Sequence, residues 1–151
     1  MAKDNGMSQR HPTQNDCVMF VTTNVARRLP LFADPACARE AVETLYRVQA
    51  MYPFFLFGFV IMPDHCHLLL KVPPPAEISS IIGSYKRAVS HNLVRGPIWQ
   101  PRFHMKIPGD CYAALRYIHL NSVRAKLTEN PEEYLWSSAS GRWDVQSLEG
   151  P

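Results

Sequence analysis

A chain of 151 residues, 46% hydrophobic, has room for one ordinary buried core and not for several domains. Its formal net charge of +3 is mildly basic, which permits a polyanionic partner without demanding one. No apolar run reaches the ~18 residues a membrane-spanning helix needs, and the 4 cysteines (Cys17, Cys37, Cys66, Cys111) form no C-x-x-C pair, which argues against a disulfide frame or zinc knuckle and for free thiols in a reducing cytoplasm.

Met1 to Asp16 is polar, lacks the apolar segment of a signal peptide, and reads as a disordered tail ahead of a single domain over 17–151. Cys17 to Asn24 is β-branched and aromatic, the pattern of a first strand. Ala26 to Phe32 reads as a loop. Asp34-Pro35 then supplies a cap and a first-turn proline for a helix running to about Met51, with Ala41, Leu45, Val48 and Met51 on one face. Phe54 to Met62 and His65 to Val72 are apolar strands joined by Pro63-Asp64, hence an antiparallel hairpin. After Pro73-Pro74-Pro75, Ile78, Ile81, Ile82, Tyr85 and Val89 recur at helical spacing in a segment from Glu77 to about Val94. Ile98 to Ile107 reads as extended, and Gly109-Asp110 leads into a third helix from Cys111 to about Asn121. This order predicts an α+β sandwich with helices against one antiparallel sheet.

Within the hairpin stands His65-Cys66-His67. Alternate strand residues share a face, so the two imidazoles stand side by side while Cys66, Leu68 and Leu70 point away. An apolar strand has little use for such a pair unless something binds it, and a divalent metal is the first candidate. Taken alone, the pair also suits hydrogen-bonded core histidines. Two imidazoles are half a metal site, and a third ligand must come from elsewhere. In the third helix Tyr117 and Asn121 are four apart, on one face, and Arg124 continues it: a phenol, an amide and a guanidinium, which suit phosphate chemistry as nucleophile, ligand and clamp. A half-buried core tyrosine beside a polar helix end is the plainer alternative. Trp99-Gln100-Pro101-Arg102-Phe103 interleaves aromatics with arginine, as surfaces that stack bases and grip phosphates do. Lys86, Arg87 and Arg95 lie off the apolar stripe of the second helix, and with Trp99, Arg102, Lys106 and Arg124 they are candidates to grip phosphates and stack bases.

In this order, Met62-Pro63-Asp64-His65-Cys66-His67-Leu68-Leu69, then Trp99 to Phe103, then Leu115 to Ala125 resemble the Y1 HUH transposases of the IS200/IS605-like family. Of its branches, the REP-associated tyrosine transposases are the most similar. The resemblance spans roughly Cys17 to Ser138 and includes Tyr134-Leu135-Trp136-Ser137-Ser138. The sequence departs from the pattern at Ser122, where the family usually has proline, and at Cys66, where an aliphatic residue is usual. The resemblance implies a ferredoxin-like antiparallel sheet with helices packed on one side. It implies Mg²⁺ or Mn²⁺ on His65, His67 and Asn121, with Tyr117 as the nucleophile. The implied activity is metal-dependent cleavage and rejoining of single-stranded, hairpin-flanked DNA through a 5′-phosphotyrosine, by a monomer or a homodimer. The resemblance makes the phosphate-gripping and base-stacking candidates Lys86, Arg87, Arg95, Trp99, Arg102, Lys106 and Arg124 candidate DNA contacts. Two other readings stay open on these residues: a hairpin-binding protein that does not cleave, and a metal-dependent phosphodiesterase with no covalent step.

Overall fold

A computed structural model describes residues 17–149, and the tail expected over Met1 to Asp16 lies outside them. Strand β1 (Val18–Asn24) is followed by two short 3₁₀ turns and helix α1 (Pro35–Met51). The hairpin β2 (Phe55–Met62) and β3 (His65–Lys71), helix α2 (Ile78–Leu93), strand β4 (His104–Lys106) and helices α3 (Cys111–His119) and α4 (Asn121–Arg124) complete the order. The four strands form one antiparallel sheet in the order β2-β3-β1-β4.

Strand alternation splits the core in two. Met19, Val21, Phe59, Ile61, Cys66, Leu68 and Leu70 face α1 and α2 and join the larger cluster. Asp34 accepts a hydrogen bond from the Ala36 N–H to cap α1, as Asp-Pro predicts, and the buried Tyr85 hydroxyl of α2 donates to Ala41 O of α1. Phe20, Val60, Met62 and Leu69 face the other way, toward Ile118 of α3, in a smaller cluster. Thus α1 and α2 pack on one side of the antiparallel sheet as expected, while α3 lies across the opposite side. The sheet face under α3 is the one that carries His65 and His67.

Two local expectations change. The extended segment foreseen over Ile98 to Ile107 pairs only at a Val25–Trp99 bridge and at His104–Lys106, because Pro101 lacks an N–H for the ladder. The third helix ends at His119: at Leu120 φ is −89° and ψ is 0°, and its N–H is shared between Arg116 O and Ile118 O, so α4 starts afresh at Asn121. The break occurs with Ser122 in the usual place of proline. Buried Ser122 instead bonds Thr128 through their hydroxyls at 2.9 Å. After α4 the chain runs back along β2: Ile61 N–H donates to Trp136 O, the Tyr134 hydroxyl to Ile61 O, and Gln146 N–H to Leu56 O. The β2 edge is thereby covered.

Candidate active site

Strand register sets the floor of the site. Thr22 lies opposite His67 on one side and His104 on the other, and Val60 opposite His67, so Val60, His67, Thr22 and His104 form one row across four strands. All face α3. The next rows hold Asn24, His65 and Met62 on one side, and Lys106, Phe20 and Leu69 on the other. The rings of His65 and His67 stand 4.7 Å apart, centroid to centroid.

Each imidazole has a polar partner on one nitrogen. His67 Nδ1 lies 2.8 Å from Thr22 Oγ1. His65 Nδ1 lies 2.6 Å from Asp64 Oδ1, and Arg28 Nε holds the other carboxylate oxygen at 3.1 Å. Burial pushes the Asp64 carboxyl up, but hydrogen bonds from His65 and Arg28 and their charges outweigh it and leave the group below its ordinary value. Arg28 reaches Asp64 from a left-handed backbone, φ 54°, next to Arg27 at φ 56°. Such a conformation costs a non-glycine residue about 1–3 kcal/mol and persists only where the surroundings hold it. For His67, burial, then the charges of His65, Arg124, Arg28 and Lys106, press the imidazole down to about 3, so it is neutral at physiological pH. The tautomers in which Nδ1–H donates to Thr22 Oγ1 and to Asp64 Oδ1 leave both Nε2 lone pairs for a Lewis acid.

Tyr117 of α3 hangs over this floor. Asp110 caps the helix by accepting from the Tyr112 and Ala113 N–H groups. The Tyr117 ring lies 5.8 Å from that of His67 and 5.9 Å from Phe20, both edge-on, and is 49% exposed. The Arg124 guanidinium sits 4.0 Å over the same ring and donates to Tyr117 O at 2.5 Å. A cleft of about 830 Å³ opens between α3 and β4, with Phe20, Thr22 and His67 at its base, Tyr117 on one wall and His104 and Lys106 on the other. Asn121 is 8% exposed, and its amide Nδ2 has no hydrogen-bond partner. Amide nitrogen and oxygen are interchangeable by a flip, so a buried carbonyl oxygen is available at the same spot.

The fold thus gathers His65, His67, Tyr117, Lys106 and Arg124 on one side of the sheet. Arg87, Arg95 and Arg102 are exposed elsewhere. Lys86 and Trp99 are engaged by the protein itself. The Lys86 ammonium donates to Gln100 O and Arg102 O, and burial lowers its pKa. Trp99 Nε1–H donates to Lys86 O while the indole packs against Phe32 and Tyr85. Sequence reasoning passed over Asp64, Thr22, Arg28, Phe20 and His104. Asp64 was readable as an acid next to the first histidine; Thr22, Phe20 and His104 needed the register, and Arg28 the left-handed turn after β1.

Among the described residues, no group of three or more His, Cys, Asp or Glu side chains comes together. The donors of a kind that suits a divalent cation are two imidazoles held in orientation on the sheet and, at the start of α4, a buried amide with an unpartnered atom. None of the described helices is long and apolar enough to cross a membrane.

Comparison with known proteins follows the same lines. The family profile "Transposase IS200 like" matches residues 13–121. No curated protein sequence matches the chain. Among solved structures, a REP-associated tyrosine transposase bound to a REP hairpin is similar over 97% of this chain and 96% of its own, with TM-score 0.76 and 21% identity. A protein from Deinococcus radiodurans R1, assigned as a transposase, is similar over 85% of this chain and 94% of its own, with TM-score 0.54 and 17% identity.

Proposed function

This chain belongs to the IS200-like transposase family, and from that premise we propose that it cleaves and rejoins single-stranded DNA through a 5′-phosphotyrosine on Tyr117. The observation that carries the reading is the 5.8 Å approach of the Tyr117 and His67 rings within one chain, at the mouth of an open cleft. No second copy is needed to bring phenol and imidazole together, although the reading does not forbid a homodimer.

In this reading the scissile phosphate enters the cleft above Thr22. His65, His67 and Asn121 would hold a divalent cation, Mg²⁺ or Mn²⁺, which when bound polarises the phosphate oxygens. Asp64 and Thr22 orient the two imidazoles, and the nearby cations Arg28, Lys106 and Arg124 offset phosphate charge. Tyr117 Oη attacks phosphorus in line, the Oη–P bond forms as the P–O3′ bond breaks, and a free 3′-OH departs. A 3′-OH reverses the step, so the phosphodiester bond energy is conserved and no nucleotide cofactor is consumed. The similar transposase bound to a REP hairpin supports a hairpin-bearing strand as substrate. Arg87, Arg95 and Arg102 supply contacts away from the cleft, with Trp99 and Lys86 shaping the loop that carries Arg102.

The test is incubation of the protein with labelled single-stranded hairpin oligonucleotides and Mn²⁺, followed by a denaturing gel. A covalent protein–DNA band that vanishes with Tyr117→Phe, while binding persists, supports the mechanism. Binding without any covalent band supports the non-cleaving alternative, and cleavage that survives Tyr117→Phe supports a phosphodiesterase.

A further inference from the structure

Resting on that reading, we propose that His104 is the proton-transfer residue at the leaving-group side: it protonates the departing 3′-oxygen and, in rejoining, takes the proton from the attacking 3′-OH.

The argument starts from the in-line requirement. In phosphoryl transfer the attacking and leaving oxygens lie on opposite sides of phosphorus. Tyr117 attacks from the α3 wall of the cleft. The 3′-oxygen therefore departs toward the facing wall, which is β4. On that wall the residues whose side chains share the site's face are His104 and Lys106, the cross-strand partners of Thr22 and Phe20. Of these, Lys106 sits 5.3 Å over the Phe20 ring as a cation. His104 is exposed, in the same row as Thr22 and His67, and among the described residues its ring has no hydrogen-bond or ion-pair partner.

The other titratable groups around the cleft are committed. His67 is bonded to Thr22. Asp110 receives the first N–H groups of α3. His119, on another helical face, is bonded to Ser138 Oγ at 2.9 Å. An imidazole is the side chain best able both to give and to take a proton near neutral pH. A reversible cut-and-join reaction needs both, since the acid of cleavage is the base of rejoining.

The proton balance is complete. In cleavage Tyr117 Oη–H, half exposed, releases its proton to water as the Oη–P bond forms. The P–O3′ bond breaks, and O3′ takes the proton of the His104 imidazolium, leaving neutral imidazole and a 3′-OH. In rejoining, neutral His104 accepts the proton of the attacking 3′-OH as the O3′–P bond forms, the Oη–P bond breaks, and the departing Tyr117 phenolate takes a proton from water.

Replacing the bridging 3′-oxygen with sulfur separates this role from a structural one, because a thiolate leaves without protonation. The substrate is the hairpin oligonucleotide that wild-type protein links in Mn²⁺, selected from a library with randomised flanks and resynthesised with 3′-oxygen or 3′-sulfur at the cut. His104→Ala is expected to slow covalent linkage about 10²–10⁴-fold on the oxygen substrate and to leave the sulfur substrate within a few-fold of wild type. Lys106→Gln, which removes charge but no proton donor for O3′, is expected to slow both substrates alike. Equal slowing of both substrates by His104→Ala overturns the proposal while leaving the tyrosine mechanism intact. Failure of wild-type protein to link any library member overturns the mechanism itself and the proposal with it.

Discussion

Asp64 is the residue whose removal most directly separates orientation from ligation. It touches no proposed substrate atom, yet its carboxylate fixes the His65 ring at 2.6 Å and is itself held by Arg28. Such outer partners commonly account for 10–100-fold in metal affinity, so Asp64→Ala is expected to weaken Mn²⁺ binding by about that factor in a calorimetric titration, with His65 still in place. Unchanged affinity would show that the ring needs no such support. His67 carries a different consequence. In the folded chain it is held near pKa about 3, against an ordinary 6.5. Between these values the unfolded chain binds more protons, so stability is full above pH 6.5 and falls as pH drops toward 3, by up to about 1.4 kcal/mol per pH unit. Asp64, also lowered, adds loss in the same direction as pH falls through its folded value. Urea unfolding of metal-free protein at pH 7.5 and 5 is expected to show a smaller drop for His67→Gln than for wild type. Parallel drops would mean that the imidazole is not kept neutral by the fold.

At the scale of elements, the seat of α3 on the sheet decides where the phenol stands. Gly58 lies at an irregularity of the β2–β3 register, and a Cβ there would overlap Leu115 Cδ1 of α3 and press on Ser138 Oγ at 3.3 Å. Gly58→Ala therefore makes the Leu115 side chain turn aside or α3 shift, and is expected to cost up to about 1–3 kcal/mol as an overfilled contact. Because Leu115 precedes Tyr117 by two residues on α3, the rate of covalent linkage is expected to fall as well. Adding Leu115→Ala to Gly58→Ala frees the space, so the double variant is expected to be more stable in urea than the sum of the single losses; strict additivity would show that the two do not meet. This contact also marks what the sequence could convey. The hairpin, α1 and α2 were legible because period-two and helical apolar patterns and the Asp34-Pro35 and Pro73 to Pro75 boundaries are local. The pairing of Tyr117 with the histidines was legible only through the family resemblance. The face chosen by α3, the break at Leu120, the three-residue length of β4 and the row from Val60 to His104 depend on contacts between residues far apart in sequence. Local periodicity carries no register between β1 and β4, so Thr22 and His104 looked like ordinary strand residues. Likewise Lys86 reads as a surface group because nothing local reveals that it reaches the carbonyls of Gln100 and Arg102.

Over the whole molecule, a net charge of +3 says little until its distribution is set against the sheet. Residues 134–146 run along the β2 edge and β4 forms the opposite edge of the sheet, so a strand bound in the cleft is expected to leave past β4. Beyond β4 lies the other side of the sheet, where α2 carries Arg87 and the following loop Arg95 and, further on, Arg102. Arg28, Lys106 and Arg124 carry their charge near His67, whose imidazole they press down. If a hairpin-bearing strand engages both groups, about six phosphates are neutralised, and log affinity falls with log salt at a slope of about −4 for a single strand. Arg87→Gln with Arg95→Gln removes two contacts and is expected to flatten the slope to about −3. A short unstructured oligonucleotide that fills only the cleft is expected to bind the double variant and wild type alike. Fluorescence anisotropy across a salt series measures all three. An identical loss on the short oligonucleotide would place Arg87 and Arg95 in general attraction and not on the path past β4, and a slope near zero for wild type would remove the phosphate-gripping surface altogether.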